Sequence, residues 1–149
     1  MKKIIVSFFI SIIFFGCSNA VRTTITPEEK YLNFIETLSK DKSQIFEAVE
    51  EWIIVNATDA NRIIQLRDKE SGKIIVKAVT KVTVGLTKLP MNYILIIRMS
   101  DNKIEFNYEI GEMATNYGGY PPASSIDEIK NEFILIKDSI LNKITNYSK

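Results

Sequence analysis

The chain has no histidine, one cysteine and one tryptophan among its 149 residues. Without histidine there is no Ser-His-Asp or Cys-His catalysis and no imidazole metal ligand. One cysteine can neither close an internal disulfide nor build a thiolate cluster. No sign of charge dominates either: 19 basic side chains face 18 acidic ones, a formal net charge of +1. Nucleic-acid binding usually rests on a concentrated basic face, and this balance offers none. No cofactor motif is present, so no cofactor is expected. What is present is an apolar content of 46% in a length that suits one ordinary domain with a real core.

The longest apolar run lies at the start. Met1-Lys2-Lys3 is a short positive opening, and Ile4 to Phe15 is interrupted only by Ser7 and Ser11 before Gly16-Cys17. Twelve residues are too few to cross a bilayer as a helix, which needs about 20. A positive start, a short apolar stretch and a small residue at its end make an export signal. The place of the only cysteine adds to this. Phe14-Phe15-Gly16-Cys17 resembles the lipobox of bacterial lipoproteins, which implies a diacylglycerol on the Cys17 sulfur and removal of residues 1–16 as a signal peptide. A plain secreted chain with a free thiol near its start is the alternative. Loss of Lys2 and Lys3 leaves 17 basic against 18 acidic side chains, a formal charge of −1. Residues 17–29 read as the lipidated cysteine and a polar tether. Ser18 to Thr24 carries no acidic run. The expected location is the bacterial cell envelope, at the periplasmic side of the outer membrane, held there by lipid.

Residues 30–147 read as a single domain. Tyr31 to Leu38 is a candidate first strand. Asp41, with Gln44 three residues on, signals a helix start. Ile45, Val49, Trp52 and Ile53 then follow at helical spacing while Glu47, Glu50 and Glu51 face away. Arg62 to Arg67 is a strand joined through Asp68-Lys69-Glu70-Ser71-Gly72 to Lys73–Val84, an expected hairpin. In that second strand Ile74, Val76, Ala78, Val82 and Val84 share one face and Lys73, Lys77 and Lys81 the other. Gly85 to Pro90 is expected to break the sheet before a strand from Met91 to Met99. Asp101-Asn102 suits a tight turn, because asparagine tolerates the left-handed conformation. Lys103 to Ile110 alternates most cleanly, with Ile104, Phe106, Tyr108 and Ile110 against Lys103, Glu105, Asn107 and Glu109. Gly111 to Ser124 reads as a long loop. Ser125 with Glu128 forms an expected capping box for a last helix, whose stripe is Ile126, Ile129, Phe133, Ile136, Ile140 and Ile144. The class is therefore α+β: an antiparallel sheet of about five strands with two helices packed on one face, in the order β-α-β-β-β-β-α.

The run from Ile63 to Ala78, with its Asp68-Lys69-Glu70-Ser71-Gly72-Lys73 turn behind a helix carrying Glu51-Trp52, resembles the bacterial envelope domain known as domain of unknown function 4468. The resemblance covers about Tyr31 to Ile144. It implies a TBP-like fold, a sheet with two helices on its back, on an exported and often lipidated chain. It implies no activity and no catalytic residues, and a shape shared with the TATA-binding protein is no reason to infer DNA binding.

The candidate sites each have a plain structural alternative. Trp52 could stack on a ligand, or sit in the core beside Val49 and Ile53. Asp68, Lys69, Glu70 and Lys73 could form an acid-base or cation site, or a solvated turn. Lys73, Lys77 and Lys81, with Glu105 and Glu109 on another strand, could present a polar-ligand platform, or pair across strands on the wet face. Tyr117 and Tyr120, in Asn116-Tyr117-Gly118-Gly119-Tyr120-Pro121-Pro122, could stack on a sugar or grip a peptide; the alternative is a simple crossover. The expectation is a non-enzymatic binding module whose partner is an envelope protein or a small polar ligand, met by the sheet face and the tyrosine loop. A small hydrolase using Glu105, Glu109 and Glu112 is the alternative, and a structural subunit of an envelope complex is a third reading.

Overall fold

The computed structural model describes residues 25–56, 63–114 and 118–148. Cys17, Tyr117 and the signal-like segment lie outside the described residues. The elements are α1 (Pro27–Lys30), β1 (Tyr31–Thr37), α2 (Lys42–Asn56), β2 (Ile63–Asp68), β3 (Lys73–Val84), β4 (Thr87–Ser100), β5 (Lys103–Met113) and α3 (Ile126–Thr145). The five strands form one antiparallel sheet in the order β1-β5-β4-β3-β2. This is the α+β layout that the alternation and the two amphipathic helices imply.

The period-two pattern decides the layers. In β4, Met91, Tyr93, Leu95, Ile97 and Met99 are buried; in β5, Ile104, Phe106, Tyr108 and Ile110 are. All of them share one face of the sheet with Ile74, Val76, Ala78 and Val82 of β3. Against that face lie Ile45, Phe46, Val49, Trp52 and Ile53 of α2 and the isoleucine stripe of α3 with Phe133. Tyr108 and Phe133 stack with centroids 4.3 Å apart, and Tyr93 leans on Phe133 at 5.1 Å, so sheet and helix meet through an aromatic cluster. Trp52 is core: it is buried, and its indole N–H donates to Ser139 Oγ at 2.9 Å, joining α2 to α3.

Several boundaries differ from the sequence expectation. Residues 27–29, assigned to the tether, are part of the fold. Thr26 and Glu29 form a complete capping box around α1, with Pro27 in its first turn, and Ile25 ahead of it is buried. The expected break at Gly85 to Pro90 shrinks to the two-residue turn Gly85-Leu86, with β4 starting at Thr87. Proline survives inside this strand because its carbonyl faces β5, where it accepts from Ala114 N–H at 2.8 Å. In a strand the N–H points the same way, so the missing donor falls where β5 has just ended. β5 in turn runs past Ile110 to Met113 through a register shift opposite Met91 to Tyr93. Gly111 permits it, since a Cβ there would come within 2.8 Å of the Asn92 carbonyl oxygen. As expected, Asn102 adopts a left-handed φ of 58° in the β4–β5 turn.

The rims of the sheet are unlike. β2 carries a register shift between Ile64 and Leu66, whereas β1 pairs with β5 without interruption from Tyr31 to Thr37.

Candidate functional site

The face of the sheet away from the helices is uncovered by any described element. Strand register arranges it in rows. Lys73, Arg98, Glu105 and Ile35 form one row; Ile75, Ile96, Asn107 and Asn33 form the next; Lys77, Ile94, Glu109 and Tyr31 form the third. A central apolar strip of Ile75, Ile94 and Ile96 is thus bordered by charge. Within it the Asn107 amide nitrogen is buried and has no hydrogen-bond partner, under a cavity of about 200 Å3 lined by Tyr31, Asn33, Ile96, Arg98 and Glu109. A buried donor left unmatched costs about 1–3 kcal/mol. Nothing in the alternation pattern could have singled out Asn107, which occupies an ordinary wet-face position.

The predicted platform is not assembled as expected. β4 separates β3 from β5, so Lys77 and Glu109 lie two strand spacings apart with Ile94 between them, about 10 Å. Glu105 turns instead to Lys103 on its own strand at 2.6 Å, whose ammonium holds its carboxyl below the usual range. Lys81 sits further along β3, opposite Pro90. Glu105 and Glu109 are separated by about 13 Å along the strand, more than two carboxylates sharing one glycosidic bond need. Glu112 is exposed beyond the register shift. Among the described residues no group of three metal-ligating side chains comes together.

The charged turn from Asp68 to Lys73 is a structural clasp. Asp68 accepts from Ser71 N–H at 3.0 Å, which lowers its carboxyl's proton affinity. Lys69 reaches Glu47 of α2 at 3.1 Å, and Lys42 Nζ donates to the Glu70 carbonyl at 2.9 Å.

Tyr120 is half-buried against the core rather than free to grip a ligand. The Lys30 ammonium lies 5.4 Å from its ring centroid, 5.5 Å from that of Tyr31, and 2.9 Å from Glu109. Hydrogen bonds to Glu109 and to Tyr120 raise the ammonium's proton affinity well above that of an ordinary lysine. Beside this cluster, Tyr120 and Pro122 join Val84, Leu89, Met113 and Gly118 around an apolar cavity of about 400 Å3.

Five antiparallel strands with two helices on one face define a TBP-like α+β protein. Solved structures agree: the chain is similar to a TBP-like protein from Parabacteroides distasonis, with TM-score 0.64 and 12% identity over 84% of this chain and 99% of that one. It is also similar to a DUF4468 family protein from Bacteroides ovatus, with TM-score 0.57 and 10% identity over 78% of this chain and 90% of that one. The chain belongs to the family described as Domain of unknown function (DUF4468) with TBP-like fold, whose model matches residues 31–112. No curated protein matches the sequence.

Proposed function

We propose that the chain is an exported lipoprotein of the bacterial envelope, acting as a non-enzymatic binding module whose open sheet face receives an envelope protein or a small polar ligand. One observation carries the binding reading: the unpartnered Asn107 amide, buried beside Arg98 in the apolar strip of an uncovered sheet. A carbonyl or carboxylate set over Ile96 would satisfy that donor, with Arg98 at hand as a second. The wide spacing of Glu105 and Glu109 favours binding over carboxylate catalysis. Export and anchoring rest on the N-terminal pattern around Cys17.

The test is co-purification of the intact protein from its own solubilised membranes. A stoichiometric partner or ligand retained by wild type and by Leu135→Asp on the helical side, but lost from Ile96→Asp and Asn107→Leu, supports the reading. Retention by all variants, or no stoichiometric companion at all, counts against it. For the anchor, Cys17→Ser is expected to leave the precursor uncleaved and unlabelled by radioactive palmitate; unchanged processing would refute it.

A further inference from the structure

The turn between β3 and β4 is Gly85-Leu86, with Val84 paired to Thr87. Gly85 has φ +63° and Leu86 is not among the left-handed residues, which is the backbone of a two-residue hairpin loop with glycine first. The second position of such a loop points into water and is normally polar. Here it holds a leucine at 105% relative exposure, the most exposed apolar side chain among the described residues. Folding gains nothing from it. Around the base of the hairpin lie Val84, Leu89, Met113, Tyr120 and Pro122, the walls of the apolar cavity of about 400 Å3. The leucine is therefore the apex of an apolar end rather than an isolated residue.

That end is also where the chain enters the fold. Tyr31 pairs with Glu109, Glu109 with Ile94, and Ile94 with Lys77, so the start of β1 points towards the Gly85-Leu86 end of the sheet. Lys30 reaches Tyr120 there, and Ile25, the first described residue, precedes it by one short helix. Met91 is paired with Met113 at the end of β5. Five further residues carry the hairpin to Leu86, a projection of about 16 Å at 3.3 Å per residue.

We propose that this end docks on the bilayer, with Leu86 entering the headgroup–acyl boundary. The inference rests on the lipid anchor proposed above. Eight Cα–Cα steps lead from Cys17 to Ile25, a reach of at most about 29 Å. A lipid on Cys17 keeps the membrane within that distance of Ile25, and the β3–β4 hairpin is the part of the sheet that projects from the end where β1 begins. Lys88, exposed two residues behind the tip, then lies about 7 Å back along the strand, at phosphate depth if Leu86 is at the acyl boundary. The open sheet face stands beside the membrane rather than against it, and remains accessible.

The test uses the mature lipoprotein in vesicles of phosphatidylethanolamine and phosphatidylglycerol. Lipidation consumes the only native thiol, so Leu86→Cys supplies a single site for an environment-sensitive nitrobenzoxadiazole label. Glu70→Cys, in the turn at the opposite end of β3, is the reference. The label at 86 is expected to shift to the blue and to be quenched by acyl-chain nitroxides, while the label at 70 does neither. A chain that floats with the vesicles but gives the same aqueous signal at 86 and 70 overturns the docking and leaves the anchor standing. A chain that does not float, or takes up a second label at Cys17, overturns the anchor, and the docking with it.

Discussion

Glu128 of α3 accepts two hydrogen bonds from Thr83 of β3, one from the backbone N–H and one from the hydroxyl, each 3.0 Å long. Ser125 completes the contact by donating to the Thr83 carbonyl at 2.6 Å. The Ser125–Glu128 capping box expected from the sequence is therefore not formed; Ser125 makes no side-chain cap bond to its helix. Both side chains serve the stretch of β3 that β2 is too short to reach. Glu128→Ala is expected to strip both Thr83 donors of their acceptor, leaving only the Ser125 bond to its carbonyl, and to cost about 1–3 kcal/mol. Urea denaturation of the variant against wild type measures this; an unchanged midpoint would show that water replaces the carboxylate without loss.

Trp52 is the sole tryptophan, so intrinsic fluorescence reports the α2–α3 seam directly. Its emission is expected to be blue-shifted when folded and to move red in one transition. Trp52→Phe, which keeps a ring but drops the bond to Ser139, should lose about 1 kcal/mol beyond its packing change, and Ser139→Ala about the same. Trp52→Ala should lose about 3–5 kcal/mol. Near-additive losses in the Trp52→Phe, Ser139→Ala double variant would contradict a shared bond.

Gly72 and Gly85 both have left-handed φ, near +65° and +63°, but only Gly72 is crowded: a Cβ there would lie 2.2 Å from the Met99 carbonyl oxygen. Gly85→Asn is expected to cost about 1 kcal/mol, since a side chain is strained at this φ but the space is open. Gly72→Ala adds a clash to the strain and should cost more than about 1–3 kcal/mol. Thermal melts of the two variants check the order.

The pH profile should have a flat top. Glu105 and Asp68 titrate below their ordinary values of 4.5 and 3.8, the first through Lys103 and the second through the Ser71 backbone. A depressed carboxylate contributes stability that is present above its unfolded value and is lost as pH falls through the folded one. Lys137 is raised above 10.5, chiefly by its hydrogen bond to Glu36, so its contribution is complete below 10.5 and disappears as pH climbs through the folded value. With no histidine to titrate between, denaturation midpoints should stay level from about pH 5 to about pH 8. Glu36→Gln should flatten the alkaline fall. A pronounced slope near neutrality would contradict the assignment.

Local patterns were legible where the cause is local. The alternation of Lys103 to Ile110 and the stripe of α3 placed the sheet and its cover, because burial imposes period 2 on strands and 3.6 on helices. The extension through Pro90 was hidden, since proline's tolerance there depends on where β5 ends. Gly111 read as a loop start because a register shift belongs to a pair of strands, not to either sequence. Glu128 had the right spacing for a cap, but an unpaired strand edge competed for it. Thr26-Pro27-Glu28-Glu29 carries a readable helix start, with Thr26 and Glu29 at capping-box spacing and proline at the first helical position. The open-face chemistry was least legible: strand order put β4 between the lysines and glutamates that were expected to meet, and left Asn107 over the centre.

The unequal rims of the sheet set a limit on how this domain can associate through backbone bonds. The uninterrupted β1 can accept an added strand, and its outward Tyr31, Asn33, Ile35 and Thr37 carry no charge to repel one. The register shift in β2 spoils the opposite rim as a template. Two copies joined rim to rim through β1 would present only their β2 rims to the outside, so propagation by like pairing ends at two. The asymmetry would act as a chain terminator, and the one charge on the accepting strand, Glu36, is already held by Lys137 of α3.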